Sequence, residues 1–577
     1  MKPKLLLIPA AIAIAFLLAF RLNENNSTIP LGLKKDGVTK RNIVSCSPDW
    51  DKLKDWMEET DIPPMPGAGN YKWKISTKND SAQFYFNQGI NMYYGFHIIE
   101  ALASFKKAAK FDPRNALVYW AQALAHGPNI NDGGGYAEKS EALATAQKAV
   151  ELSTNSNDKE KLLILAQSVR YSADSTISRE KLNQLYVDKM KEAYSKHSSD
   201  ADVTALYADA LMLQHPWDLW YTNGRPKQWT PLIRDILEKL LSKYPDHTGA
   251  NHYYIHVMEP SPFAAKALPS ANRLGRLNPG LSHLVHMPSH IYLRTGNYNK
   301  GSAVNEAAVK SYKNYISLYP PAAGGDFIYN THNLHMQTNH AMMQGKEAYS
   351  LQSAKETANS ISIENLSTPG AFGNYFQYIY MTPVLVQVRF GKWNELLMTP
   401  QPEKSQVYSN ILYHFGRGMA FSTQAKLKEA KQELENIIEL MKDSILTTRM
   451  DPFSPAVDGA TVAKHLLKGS IALTEKKYDD AVASYLKAVT AEENMVYNEP
   501  RDWLLNPKHF LGNAHLQTNN FAAAKQVFLN DLKTNNENGW ALFGLYKALL
   551  GQKKKTEAHK ILARFKKAFD NADITLK

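Results

Sequence analysis

The chain has 577 residues, 44% of them hydrophobic and 21% charged, which excludes a disordered chain, a polytopic membrane protein and a single compact core. Lys+Arg at 67 against Asp+Glu at 55 leave a net charge of +12, spread without a basic block, so no nucleic-acid partner is expected. One cysteine, Cys46, rules out an intrachain disulfide framework and zinc sites built from paired cysteines, which leaves 18 histidines as the outlying count.

Met1 to Lys4 is basic, and Leu5 to Phe20 is an uncharged run of 16 residues ended by Arg21. It is short for a spanning helix and long for a signal core, and no small-x-small cleavage site follows Phe20. Residues 1–22 therefore read as a signal anchor rather than a removed signal peptide. Lys2 and Lys4 precede the run while Arg21, Lys34, Lys35, Lys40 and Arg41 follow it, which weakens an orientation argument from charge. Long domains translocate largely regardless of such charges. The expected localisation is export to the periplasmic side of a bacterial membrane, with the N-terminal segment as the membrane contact. Cys46 lies too far past the apolar run for a lipoprotein acylation site and reads as an ordinary thiol. Residues 23–75 read as a linker and lead-in segment.

Beyond residue 75 the chain reads as helix after helix, punctuated by Asp-Pro, Asn-Pro and Gly-Asn turns, with no alternating stretch long enough for a sheet. One spacing recurs. A frame opening at Ala82 holds Gly89, Ala101, Phe105, Ala108 and Pro113. Frames at Val462 (Gly469, Ala481, Tyr485, Ala488) and Leu505 (Gly512, Ala524, Phe528) repeat it, and one at Gly539 keeps Ala558 but has Tyr546 for the glycine. Further frames open at Thr248 (Ala267, Ala271, Pro279), at Ser282 with Gly296 at its turn, and at Thr331. Small residues let paired helices approach, the aromatic fills the space between them, and Pro113 stops the second helix. Three segments interrupt the pattern: His215–Trp220, Ser317–Asp326 and Tyr497–Trp503. Loops inserted in such arrays lie on one face and contribute to binding.

These frames resemble tetratricopeptide repeats over most of residues 80–575. The resemblance implies an all-α fold, a right-handed α-solenoid of helical hairpins with loop insertions, whose first helices line a concave groove. The expected organisation is N-terminal repeats over 76–200, a His-rich central block over 201–345 and C-terminal repeats over 346–577.

Half of the histidines, nine of the 18, lie from His247 to His340. Their spacings are helical: His252 and His256; His283, His286 and His290; His332 and His335. Residues three and four apart share one helix face. In tetratricopeptide repeats the second, fifth and ninth residues of the first helix face the groove, so the resemblance directs these seven side chains into one stretch of it. Glu259 lies one turn beyond His256. Clustered imidazoles repel one another when protonated, whereas a transition metal binds them neutral. Imidazole suits copper, zinc and iron. Three or four nitrogens plus water make an open site, and six or seven suffice for two metals. Glu259 is the catalytic candidate, as general base, or else a ligand or a support for one.

Pro288 sets alternatives. A helix starting near Ser282 is kinked there, and one starting later suits Pro288 in its first turn but leaves His283 outside. Met258, Met287 and Met336 read as packing groups. His97, His126, His414, His465, His509 and His515 lack a cluster, and His340 falls one place off the groove-facing register.

The stretches His252-Tyr253-Tyr254-Ile255-His256, His286-Met287-Pro288-Ser289-His290-Ile291-Tyr292 and His332-Asn333-Leu334-His335 are similar to an exported bacterial subgroup of tetratricopeptide-repeat proteins with no assigned activity. That likeness implies a fold and no reaction. Phosphate-loop, nucleophile-elbow and His-Glu-x-x-His motifs are missing from the sequence. The first expectation is an exported, membrane-anchored solenoid whose histidine-lined groove binds a transition metal. Such ligands serve redox, hydrolytic, storage and structural roles alike, so they assign no reaction. The second expectation is a non-catalytic scaffold that binds a peptide or protein partner in its groove.

Overall fold

The computed structural model describes residues 50–131 and 140–576. The chain divides into Met1–Ile43 and Val44–Lys577. The first unit lies outside the described residues, and with it the expected signal anchor; so does Cys46. Among the described residues the only β pairing is an isolated antiparallel bridge between Trp220 and Pro226; helices make up the rest of the regular structure. The second unit is an all-α solenoid of helical hairpins.

The hairpins form for the reasons the spacing suggests. Asn79 caps the helix Asp80–Tyr94 by accepting from the Ala82 amide, and the helix Ile98–Phe111 packs back against it. A Cβ built on Gly89 would fall 2.4 Å from the Phe105 ring; the same test puts Gly469 2.5 Å from Tyr485 and Gly512 2.4 Å from Phe528. Only glycine lets the aromatic of the second helix seat on the backbone of the first. The partner small residues Ala101, Ala481, Ala524 and Ala558 are fully buried. The turns between paired helices share a left-handed residue, Phe96 (φ 57), Ala425 (φ 58), Lys476 (φ 61), Asn519 (φ 57) and Lys553 (φ 61). That repetition marks one hairpin geometry used many times.

Two of the three interruptions are irregular: His215–Trp220, and Tyr497–Trp503, which follows the helix Tyr478–Asn494. The third is not a loop. The helix Tyr298–Leu318 passes through a short 3-10 turn, Pro320–Ala322, into the helix Ala323–Met343, which starts ahead of the frame expected at Thr331. Adjacent prolines are tolerated there because the first turn of a helix has no use for their missing N–H groups.

The described part of the lead-in segment, from residue 50 on, is packed rather than free. Met65 N donates to Gln88 Oε1 at 2.8 Å, Trp73 N to Asn87 Oδ1 at 3.0 Å, and Asn91 Nδ2 to the Tyr71 carbonyl at 2.8 Å. At the other end, the last hairpins lie against the central ones. Tyr298 Oη donates to Asn536 O at 2.7 Å, Asn536 Nδ2 to Arg294 O at 2.8 Å, and Trp540 Nε1 to Met342 O at 2.8 Å. No helix among the described residues is long and apolar enough to cross a membrane.

Candidate metal centre

Three helical segments carry the clustered histidines. The helix Thr248–Met258 is capped by His247, whose Nδ1 accepts from Ala250 N at 3.1 Å, and Gly249 lets it sit on the Tyr94 ring. His252 and His256 are one turn apart on it, and Glu259 follows at its C-terminus. The next segment is split at Pro288 into Ser282–His286 and Pro288–Thr295. Met287 keeps helical angles (φ −47, ψ −37), so the path continues with only a backbone donor lost. The two readings of Pro288 are thus reconciled: it begins a helix, and His283 is still helical. His332 and His335 stand on Ala323–Met343.

Six of the seven histidines converge in two groups of three, His252/His256/His283 and His286/His290/His332, each offering one ring nitrogen within 4.8 Å of the other two. In the first, His252 Nε2 lies 3.0 Å from His256 Nε2 and 3.1 Å from His283 Nε2. His252 Nδ1 is 2.6 Å from the Tyr94 carbonyl, which can only accept, so Nδ1 carries the proton and Nε2 a bare lone pair. His256 Nδ1 faces Glu259 Oε1 at 3.0 Å. In the second, His286 Nε2 lies 2.8 Å from His290 Nε2, and His286 Nδ1 is 2.5 Å from Asn305 Oδ1. The His332 ring is 4.7 Å from that of His286 and 5.3 Å from that of His290, and its Nε2 is buried without a hydrogen-bond partner.

Glu259 joins the groups. Its Oε1 faces His256 and its Oε2 lies 3.1 Å from His290 Nδ1 while accepting a hydrogen bond from Tyr497 Oη at 2.8 Å. Glu499, two residues on, puts Oε1 3.4 Å from His256 Nδ1 and 3.9 Å from His290 Nε2. His335 stands apart from both groups, edge-on to Tyr378 at 5.7 Å between ring centres, with its Nε2 unpaired.

The expected open groove is closed at this point. None of the seven histidines is more than 9% exposed. Phe96 covers the first group, its ring 4.5 Å from His252, 5.7 Å from His283 and 5.8 Å from His256. Trp217 meets His256 edge-on at 5.2 Å. Burial lowers the imidazole pKa values first of all, to about 3 for His256 and about 4 for His286 and His335. His252, His283, His290 and His332 are lowered by burial and then by neighbouring imidazoles. At neutral pH these rings are uncharged and offer lone pairs. Burial raises both Glu259 and Glu499, and for Glu499 the nearby charge of Glu259 adds to it.

His340 and three methionines near the cluster have packing roles. His340 Nε2 donates to Ser289 O at 3.1 Å and its ring fills the space over Gly301. Met258, Met287 and Met336 are buried among apolar side chains. Sequence reasoning did not single out Phe96, Trp217, Asn305, Tyr497 or Glu499. Trp217, Tyr497 and Glu499 fall inside interruptions of the repeat, which was the available signal. Phe96 occupies a turn position filled elsewhere by Ala, Lys or Asn, and nothing local marks it.

Fold and site together define a helical-hairpin repeat protein with a buried histidine cluster. The repeat is the tetratricopeptide repeat: its family model matches residues 465–495, spanning the end of Ala456–Thr474 and the helix Tyr478–Asn494. Among solved structures the chain is similar to the human IFIT1 dimer with m7Gppp-AAAA (13% identity, 89% of this chain and 99% of that one, TM-score 0.33). It is also similar to yeast Tom70 (13% identity, 84% and 92%, TM-score 0.27) and to the Cut9–Hcn1 hetero-tetramer of the APC/C (14% identity, 89% and 81%, TM-score 0.26). Likenesses of this size carry no functional inference. No curated protein matches the chain by sequence.

Proposed function

We propose that the buried cluster is a transition-metal centre, held by His252, His256 and His283 in one group and by His286, His290 and His332 in the other. One observation carries this reading: imidazole Nε2 atoms face each other at 2.8–3.1 Å while the Nδ1 atoms of His252, His256 and His286 meet oxygen partners. Opposed lone pairs at that range repel unless a cation lies between them, and ligating histidines are typically oriented through the other ring nitrogen. Such donors suit copper, zinc or iron, and the metal would supply Lewis-acid or redox chemistry. In this arrangement Glu259 is a positioning residue, its Oε1 orienting His256 while its Oε2 lies 3.1 Å from His290 Nδ1. His335 stands outside the ligand set.

The reading extends to an exported protein anchored by its N-terminal segment, with the apolar run Leu5–Phe20 as its support. A scaffold gripping a peptide through the histidine-lined groove draws less support, because the rings that would touch it are buried.

The test is metal content. The full chain is purified, stripped by chelation, and reloaded with Zn(II), Cu(II) or Fe(II) before dialysis and elemental analysis. Tight binding is expected, with His252→Ala and His286→Ala each lowering occupancy. A chain that holds none of these metals, or single variants that hold as much as the parent, would overturn the proposal.

A further inference from the structure

The two histidine groups are not equivalent, and the difference is Glu499. Its side chain is 17% exposed, yet its Oε1 is buried without a hydrogen-bond donor. Its backbone is left-handed at φ 56, a strained conformation for a non-glycine residue. The segment around it is fastened. Asn498 Nδ2 donates to both oxygens of Asp502 at 3.1 and 2.9 Å, Arg501 Nε donates to Met495 O at 2.9 Å, and Tyr497 is tied to Glu259. A firmly held loop thus turns a carboxyl group inward, beside that of Glu259, and gives its inner oxygen no donor. As packing this is unfavourable on three counts: desolvation, repulsion and backbone strain.

A cation removes the first two. Glu499 Oε1 lies 3.9 Å from His290 Nε2, the nitrogen that faces His286. Ligands at about 2.1 Å from one ion stand about 3 to 4 Å apart, so this oxygen and that nitrogen can share one. The nearer nitrogen, His256 Nδ1, already faces Glu259 at 3.0 Å and points away from the first group. Among the described residues no carboxylate oxygen lies within 4.0 Å of the Nε2 atoms of His252, His256 or His283, whose rings Phe96 covers.

We infer that Glu499 is the oxygen ligand of the His286/His290/His332 group, making it a three-histidine, one-carboxylate site for a divalent first-row cation beside an all-nitrogen site. This rests on the metal-centre reading given above. The loop Met495–Leu504 thereby contributes to the site from the far end of the chain. The carboxylate offsets one unit of the ion's charge and favours harder divalent ions there than at the all-nitrogen site.

The probe is Co(II), titrated into the metal-free full chain and followed by visible absorption. The expectation is two binding phases, one for each histidine group. Glu499→Gln should weaken one phase by at least about 10-fold and alter its spectrum, leaving the other unchanged. In a His286→Ala background, where only the first group can load, adding Glu499→Gln should change nothing. Thermal melting of the metal-free variants shows whether the fold is kept, which the near-isosteric substitution should allow. A parent chain that binds no Co(II) overturns the metal centre and this assignment together. A parent that binds, with Glu499→Gln identical to it, overturns the assignment alone. So does a Glu499→Gln effect that persists undiminished in the His286→Ala background.

Discussion

Tyr497 donates its phenolic hydrogen to Glu259 at 2.8 Å, across 238 residues of sequence. The bond fastens an irregular loop of the C-terminal repeats to the end of a central helix. Burial raises the Glu259 pKa, and this hydrogen bond acts in the opposite sense by favouring the ionised form.

Tyr497→Phe removes the donor and leaves a buried carboxylate oxygen under-satisfied. A loss of about 1–3 kcal/mol is expected, read as a lowered urea midpoint at unchanged slope. Because Glu259 Oε2 also lies 3.1 Å from His290 Nδ1, the variant should bind metal more weakly at the second group. Unaltered stability and affinity would show that the bond is incidental.

Asn305 holds His286 through Nδ1 and is itself buried. Asn305→Ala frees the ring to rotate without touching a ligand atom. Metal affinity at the second group should fall about 10- to 100-fold while the first is unaffected, as competition with a chelator would show.

The hairpin glycines make a packing prediction. Gly89→Ala and Gly512→Ala each drive a methyl group into an aromatic ring that is clamped between two helices. Overpacking of this kind costs about 1–3 kcal/mol, measurable by chemical denaturation. An unchanged midpoint for both would mean that the hairpins open more readily than their burial implies.

For the metal-free chain a pH dependence follows from the lowered imidazole values. His256 titrates at about 3 and His286 at about 4 when folded, against about 6.5 unfolded. Between those limits the unfolded chain binds more protons than the folded one, so acid favours unfolding. Their contribution is present above pH 6.5 and is lost as pH falls toward 4. The melting temperature of the stripped protein should drop through that window, and His256→Gln should flatten the drop. A profile level from pH 7 to 4 would contradict the burial of these rings.

The repeats could be read from sequence because their glycine, alanine and aromatic positions do one steric task each time, as Gly89 and Phe105 show. The convergence of six histidines could be read because helical spacing and repeat register are both local properties. His335 satisfies the same register yet sits against Tyr378, because Ala323–Met343 carries it past the cluster. Glu499, Tyr497 and Trp217 were beyond reach for a different reason. They arrive from irregular segments whose position depends on how distant hairpins stack, and no periodicity encodes that. The same stacking turned the expected open groove into a closed interior.

The contact between Glu259 and Tyr497 also bears on the order of assembly. Each hairpin closes through neighbours in sequence and forms early, whereas a contact spanning 238 residues waits on the docking of whole blocks. Before that docking the imidazoles of the central hairpins lack the cover of the late loop; afterwards they are shut in. An ion destined for the cluster would therefore enter most readily during folding, and one already enclosed would leave only as fast as the two ends of the solenoid come apart.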